Sequence, residues 1–301
     1  MRTTSISLAY ARDGLDRIVR MYRDSYAKVW PRMVQTEKNT EAFYRISELG
    51  AMPPATDVNE ATGLTYSDMA TPYFNDVYPR KKGIAFAVTT ETLERDRYKV
   101  FDERGPMMAE SIEQALEIDV SNFMNLATTG QIVSPDKVTI ASASHLYSLG
   151  FWSNILSTNS PLSIASLEQA IQEIMVQPAY TGFPMSFMGP FDLWVPPQLF
   201  GLAERLQTTR NGRIPQSNDN DDNWAGPRIR NVVVNPLFTN PTAWALVVTE
   251  EKRRPFLLIE GRKVTLKHQE DIDHDAHKFA ATGIWATTMQ DARGFLYSAG
   301  Q

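Results

Sequence analysis

Two stretches rich in Thr, Tyr, Phe and Val, "TYSDMATPYFNDVYP" (residues 65–79) and "KGIAFAVTTETLER" (residues 82–95), meet at Pro79-Arg80-Lys81-Lys82-Gly83. That composition and the shared turn predict a long two-stranded ribbon. A ribbon of two strands is marginal in water, because it cannot bury a face by itself. Something must therefore cover it, such as another subunit.

Around the ribbon the pattern alternates between helix and strand periods. Leu15, Ile18, Val19, Tyr22, Tyr26, Val29, Trp30 and Met33 recur at three- and four-residue steps and predict an amphipathic helix that ends or kinks near Pro31. "EAFYRIS" reads as a short strand, followed by a Pro/Asp/Asn-rich loop from Met52 to Gly63. "PMMAESIEQALEIDVSNFMNLA" is the strongest single element. It puts Met108, Ile112, Ala115, Leu116, Val120, Phe123, Met124 and Ala127 on one face, with Pro106 in the first turn of a helix of roughly six turns. In "SIASLEQAIQEIMVQ", Ser163 is the expected N-cap, Ile164, Leu167, Ile171, Ile174 and Met175 point inward, and Pro178 ends the helix.

The texture then changes. "FDLWVPPQLFGLAERL" predicts a buried strand and a helix opened by Pro196-Pro197. The polar stretch Gln207 to Pro227 has no periodicity and is too long for an ordinary connection. "IRNVVV", "TAWALVV" and "PFLLIE" read as strands of one sheet. "KVTLKHQ" alternates, with Val264, Leu266 and His268 on one face, and "KFAATGIWATTMQ" is another extended run before the tail "DARGFLYSAGQ".

Composition excludes several kinds of chemistry. Cysteine is absent, which removes disulfides, thiolate nucleophiles and cysteine zinc sites. A net charge of −5 disfavours a dedicated nucleic-acid binder. Residues 1–35 are nevertheless net +4, with Arg2, Arg12, Arg17, Arg20, Arg23, Lys28 and Arg32 against Asp13, Asp16 and Asp24. This is a solvated helix face or an arm that touches an acidic neighbour or nucleic acid. No stretch approaches 18 apolar residues and the N-terminus lacks a signal-like core, so a soluble, cytoplasmically made chain without a membrane partner is expected.

Phosphate loops, dinucleotide fingerprints, His-Glu-x-x-His helices and Gly-x-Ser-x-Gly elbows are all missing from the sequence. Glu110, Glu113 and Glu117 sit at helical spacing but mostly off the apolar face, which predicts a solvated flank. His145, with no partner evident in sequence, reads as a structural hydrogen-bonding histidine. The segment "HQEDIDHDAHKF" from His268 to Phe279 holds three of the four histidines. Asp271, Asp273, His274, Asp275 and His277 could ligate a divalent metal, with His274 and His277 on one face if helical. The strand-like flanks favour a polar hairpin or crossover connection instead. No catalytic, cofactor-binding or metal-binding residue is therefore assigned, and no cofactor.

The order of segments carries a resemblance. "FAVTTETLERD" runs into the long helix, then come "ASASHLYSLGFWSNIL", "PLSIASLEQAIQEIM", "LWVPPQLFGLAERL" and "KFAATGIWATTMQDARGFLYSAG". From Tyr66 to Gly300 this resembles the major capsid protein of tailed bacteriophages, of the Mu-like major head subunit type. Matching motifs are "VPPQL", the Ser-His-x-x-x-x-Gly-x-x-Ser-Asn pattern of His145, Gly150 and Asn154, and Asp291 to Gly294. Leu146 departs from the proline that relatives often carry there.

The resemblance implies an α+β Hong Kong 97-type capsid fold. An N-terminal arm would cover residues 1–60 and an extended loop 61–98. The peripheral domain, with its spine helix, would take 99–180 and 263–301, and the axial domain 181–262. It implies a non-enzymatic shell protein that self-assembles into hexamers and pentamers around double-stranded DNA. Scaffold protein, maturation protease and portal would be its partners, and the virion head, assembled in the bacterial cytoplasm, its location. Some members form lysine–asparagine cross-links; Lys81 and Lys82, at the expected ribbon tip, read here as solvated. The alternatives are an encapsulin-like nanocompartment shell of the same fold and a metal-dependent enzyme using the Asp271–His277 cluster.

Overall fold

The computed structural model describes residues 28–47, 55, 57–58, 73–91, 100–208, 223–250 and 254–301, with the side chains of the long helix described from residue 107. In chain order its elements are α1 (Trp30–Met33), β1 (Gln35–Lys38), β2 (Tyr44–Ser47), β3 (Phe74–Val77), β4 (Arg80–Thr89) and α2 (Val100–Asn125). The hairpin strands β5 (His145–Tyr147) and β6 (Gly150–Trp152) follow, then α3 (Ile164–Met175), β7 (Phe191–Val195), α4 (Phe200–Thr208) and β8 (Ile229–Val234). Last come β9 (Trp244–Val248), β10 (Phe256–Asp271), β11 (Ala276–Met289) and β12 (Phe295–Ser298).

Two four-stranded sheets organise the molecule, ordered β1-β10-β11-β4 and β12-β9-β7-β8. The strands β7 and β9 are buried along their whole length, as strands covered on both faces must be. Side chains of β7, β9 and β12 alternate between two cores. Trp194, Ala245, Val247, Phe295 and Tyr297 face a core shared with α2 and the first sheet. Phe191, Leu193, Val195, Leu246, Val248 and Leu296 face a second core closed by α3 and α4. Sheet periodicity of two thus makes the second sheet the middle layer.

Local chemistry explains the helices. Ser163 caps α3 by accepting from the Ser166 amide, and Ser166 returns the bond to the Ser163 amide. Leu167, Ile171 and Ile174 are fully buried. In α2 the expected apolar face is buried from Met108 to Ala127, but the helix starts at Val100 rather than at Pro106. Residues 100–105 carry no apolar period, so sequence spacing could not announce those first turns. The VPPQL segment opens α4 through a 3-10 turn at Pro197–Leu199.

The ribbon is paired differently from the sequence expectation. β3 pairs with β2, from Tyr44↔Val77 to Ser47↔Phe74, whereas β4 joins the edge of the first sheet against β11. Only Tyr78 and Pro79 separate β3 from β4. A two-residue hairpin needs left-handed backbone that neither a tyrosine nor a proline supplies cheaply. The three runs placed in one sheet also separate. "IRNVVV" and "TAWALVV" form β8 and β9, while "PFLLIE" continues into "KVTLKHQ" as the single strand β10 of the other sheet. The register of β10 shifts around Gly261, where a Cβ would sit 3.0 Å from Ile284 Cγ2, a bulge that hides the continuity of the two runs.

β1 was not expected, since "QTEK" has no apolar alternation; it is held by parallel backbone pairing to Leu257–Glu260 of β10. Residues 15–27 of the expected N-terminal helix lie outside the described residues. Its last turn is α1, which Val34 ends in extended conformation. Most of the Met52–Gly63 loop and residues 209–222 of the polar stretch likewise lie outside them.

Phe256, fully buried among Phe123, Trp194 and Phe295, joins both sheets to α2. Phe256→Ala should cost about 3–5 kcal/mol, seen as a large fall in melting temperature or loss of soluble protein. An unchanged melting temperature would show that this cluster is not the joint.

Candidate functional site

The Asp/His segment forms the end of the β10–β11 hairpin, with Ile272-Asp273-His274-Asp275 as its turn. Asp275 adopts positive φ (41°), and its carbonyl and carboxylate accept from Thr90 at the end of β4. His274 is largely exposed and hydrogen-bonds Asp271 at 3.1 Å, and Lys278 Nζ also meets Asp271 at 2.5 Å. His277 lies in β11, facing away from that pair: its Nδ1 is 3.3 Å from His268 Nε2. His268 in turn stacks on Phe279 at 4.7 Å. The turn is not helical, so His274 and His277 share no face. Among the described residues, no three His, Asp or Glu side chains converge as a metal site.

His145, Asn154 and Asp291–Gly294, quoted separately from sequence, come together in one buried joint. His145 is fully buried; its Nδ1 lies 2.8 Å from Asp136 Oδ2, and its ring packs on Trp152 at 5.0 Å. An ionised carboxylate only accepts, so Nδ1 carries the proton. Burial alone would push the Asp136 carboxyl up, but hydrogen bonds from His145, Ser134 and the Val138 amide hold it below the ordinary range. Arg293, also buried, lies over Trp152 and donates to Pro178 O (2.5 Å) and Asp291 Oδ1 (3.2 Å). Asn154 accepts from the Ser142 amide and donates to Ile140 O. Gln177 bridges the Gly294 amide and Phe295 O. The joint fastens the β5–β6 hairpin and β12 to the end of α3.

The glutamates of α2 depart from the solvated flank expected of them. Glu113 and Glu117 are 1% and 5% exposed. Glu117 Oε1 accepts from the Val29 and Trp30 amides (2.7 and 3.3 Å), and Glu113 accepts from Trp30 Nε1 (3.2 Å) and faces Lys28 at 3.5 Å. These are free amides at the start of α1 that a carboxylate can satisfy. Burial pushes the Glu117 carboxyl up, against the opposing pull of those amides. No signal within the helix itself could show this, because the partners lie about 85 residues away in sequence.

Lys82 is also not simply solvated, nor at a ribbon tip. It reaches from β4 to Asp119 of α2 at 2.5 Å, and Asp119 also accepts from Trp285 Nε1. A cleft of about 420 Å³ runs from β3 past Arg80 and Lys82 to Trp285. Its two carboxylates, Asp76 and Asp119, are already paired with Arg45 and Lys82, so they are not poised as acid and base.

Buried charge in this molecule holds elements to one another, while large apolar side chains remain outside. Phe74 and Tyr78 at the ribbon are 51% and 61% exposed, and Ile272 at the hairpin turn is 93% exposed. Large apolar side chains left in water at several places are a feature of surfaces that other molecules cover. A family model for phage capsid protein matches residues 75–298, about three quarters of the chain, and the chain belongs to that family.

Solved structures agree on the fold. The chain is similar to the bacteriophage PhiM1 mature capsid subunit, with 10% identity, TM-score 0.55, and coverage of 91% of this chain and 87% of that one. For the capsid of an empty GTA particle the values are 8%, 0.58, 91% and 90%. For a virus-like particle from Pyrococcus furiosus they are 12%, 0.53, 95% and 98%. No curated protein matches the sequence. The chain is thus a structural major capsid protein of Hong Kong 97-type fold, a subunit of a phage head.

Three variants test the joints. Glu117→Gln keeps an acceptor for Val29 and Trp30 without the buried charge, so at pH 7 its melting temperature should equal or exceed the parent's. Glu117→Ala should cost about 1–3 kcal/mol by leaving those amides unpaired. Because the folded Asp136 carboxyl titrates below its ordinary value of 3.8, it contributes stability above that pH, lost as pH falls through the folded value. His145→Ala should lower stability at pH 7 by about 3 kcal/mol and flatten the acid limb of a melting-temperature profile. An acid limb of unchanged steepness would contradict the assignment.

Proposed function

We propose that copies of this chain close into hexamers and pentamers of an icosahedral head that encloses double-stranded DNA, and that it carries no catalytic activity. The observation that supports this best is the β2–β3 ribbon. Each strand has four residues, Arg45–Asp76 pairs across it at 2.7 Å, and its aromatics Phe43, Phe74 and Tyr78 are all exposed. A ribbon so small gains little on its own; a neighbouring subunit supplies the missing face.

In this reading the first sheet with α2 is the peripheral domain and the second sheet with α3 and α4 the axial domain. The β2–β3 pair is the base of the extended loop. The loop thus starts earlier than residue 61, and β4 belongs to the peripheral sheet. The helix α3 goes with the axial domain because its apolar face shares a core with β7, β9 and β12. The overall charge of −5 suits DNA held by confinement rather than bound base by base. A separate scaffold, a maturation protease and a portal complete the assembly in the bacterial cytoplasm.

Negative-stain images of the recombinant chain should show closed shells with six- and fivefold rings. Small oligomers of fixed size at all protein concentrations would contradict the proposal.

A further inference from the structure

Charged residues make up 22% of the chain, yet residues 138–167 and 174–191 contain no Asp, Glu, Lys or Arg. The two runs are brought together in space. The Ser148 amide donates to Tyr180 O (2.9 Å), and a Cβ on Gly182 would come within 2.9 Å of Leu149 Cδ1, so the β5–β6 turn lies flat on the loop that follows α3. These runs also carry large apolar side chains that the subunit leaves in water. Leu149 is 77% exposed, Phe151 67%, Val176 68%, Phe183 53% and Met188 65%.

This surface is held in place before any partner arrives. The base of the hairpin is fixed by the stack of His145 on Trp152 and by Arg293 over the same indole. The loop is closed by the Ala179–Phe183 and Gln177–Met185 backbone bonds. Gly182 takes φ of 90°, which a side chain would strain. Charge depletion with exposed aromatic, Leu and Met side chains on a rigid support is the composition of an interface core, not of a free surface.

We infer that the β5–β6 turn and the 178–188 loop form an uncharged contact with a second copy of this chain. Neither run supplies a cation to hold nucleic acid or a charge to steer a transient partner, and Arg293, which donates to Pro178 O, is itself buried. In a shell subunit, other copies are the neighbours always present. The inference rests on the self-assembly proposed above and adds the surface through which one contact is made.

The chain has no cysteine, so single thiols can report on this surface. Leu149→Cys and Phe151→Cys variants, each expressed alone as the full chain, would be labelled with a maleimide dye in the particle fraction and in chain released by guanidinium. Labelling at least tenfold slower in particles is expected at both positions. Leu149→Asp should give folded chain, with unchanged circular dichroism, that no longer forms particles. Equal labelling in particles and released chain, or protection that appears only when a different protein is added, would overturn the inference while leaving self-assembly intact. Absence of particles from the unsubstituted chain would instead overturn the self-assembly on which the inference rests.

Discussion

Phe256 is where two sheets and a long helix become one body. Its ring lies 4.5 Å from Phe123 of α2 and 5.1 Å from both Trp194 of β7 and Phe295 of β12. From that cluster β10 runs 16 residues, buried for its first four and progressively wetter toward Asp271. Its pairing with β11, shifted in register near Gly261, and the unbroken pairing of β11 with β4 continue outward to the hairpin turn. A strand anchored in the core at one end and ending in an exposed turn at the other can present that turn to a neighbour without disturbing the core.

Polar joints set how the remaining pieces attach. Glu113 and Glu117 receive the chain entering from the N-terminus, Asp119 ties β4 to α2, and Asp136 with His145 seats the β5–β6 hairpin. Burying a carboxylate is costly unless donors surround it, so each of these groups marks a place where geometry is specified. For a protein that must fit many copies of itself together, fixed angles between elements matter more than the last kcal/mol of stability.

Much of this was legible in the sequence where a single element decides its own fate. The capped helix at Ser163, the buried run Phe191–Val195, the apolar face of α2 and the polar nature of the Ile272–Asp275 turn all follow from local period and capping chemistry. What depends on distant pairing was not. β4 has the composition of a ribbon strand but finds β11, almost 200 residues later, a better partner than β3. The glutamates of α2 look solvent-facing on a helical wheel until the Val29 and Trp30 amides arrive. His145, Asn154 and Arg293 were visible as motif residues, but their meeting around Trp152 and the end of α3 is a tertiary fact. Period identifies faces; it does not say which distant backbone or carboxylate will cover them.

The core around Phe256 closes within the subunit, and we propose that neighbours complete the ribbon. Amide hydrogen exchange, followed on free subunits and on assembled particles, tests this most directly. Slow exchange is predicted around Phe256 in both states, and exchange in Tyr44–Ser47 and Phe74–Val77 that is fast in the subunit and strongly slowed in the particle. A ribbon already protected in the free subunit, or unaffected by assembly, would contradict it.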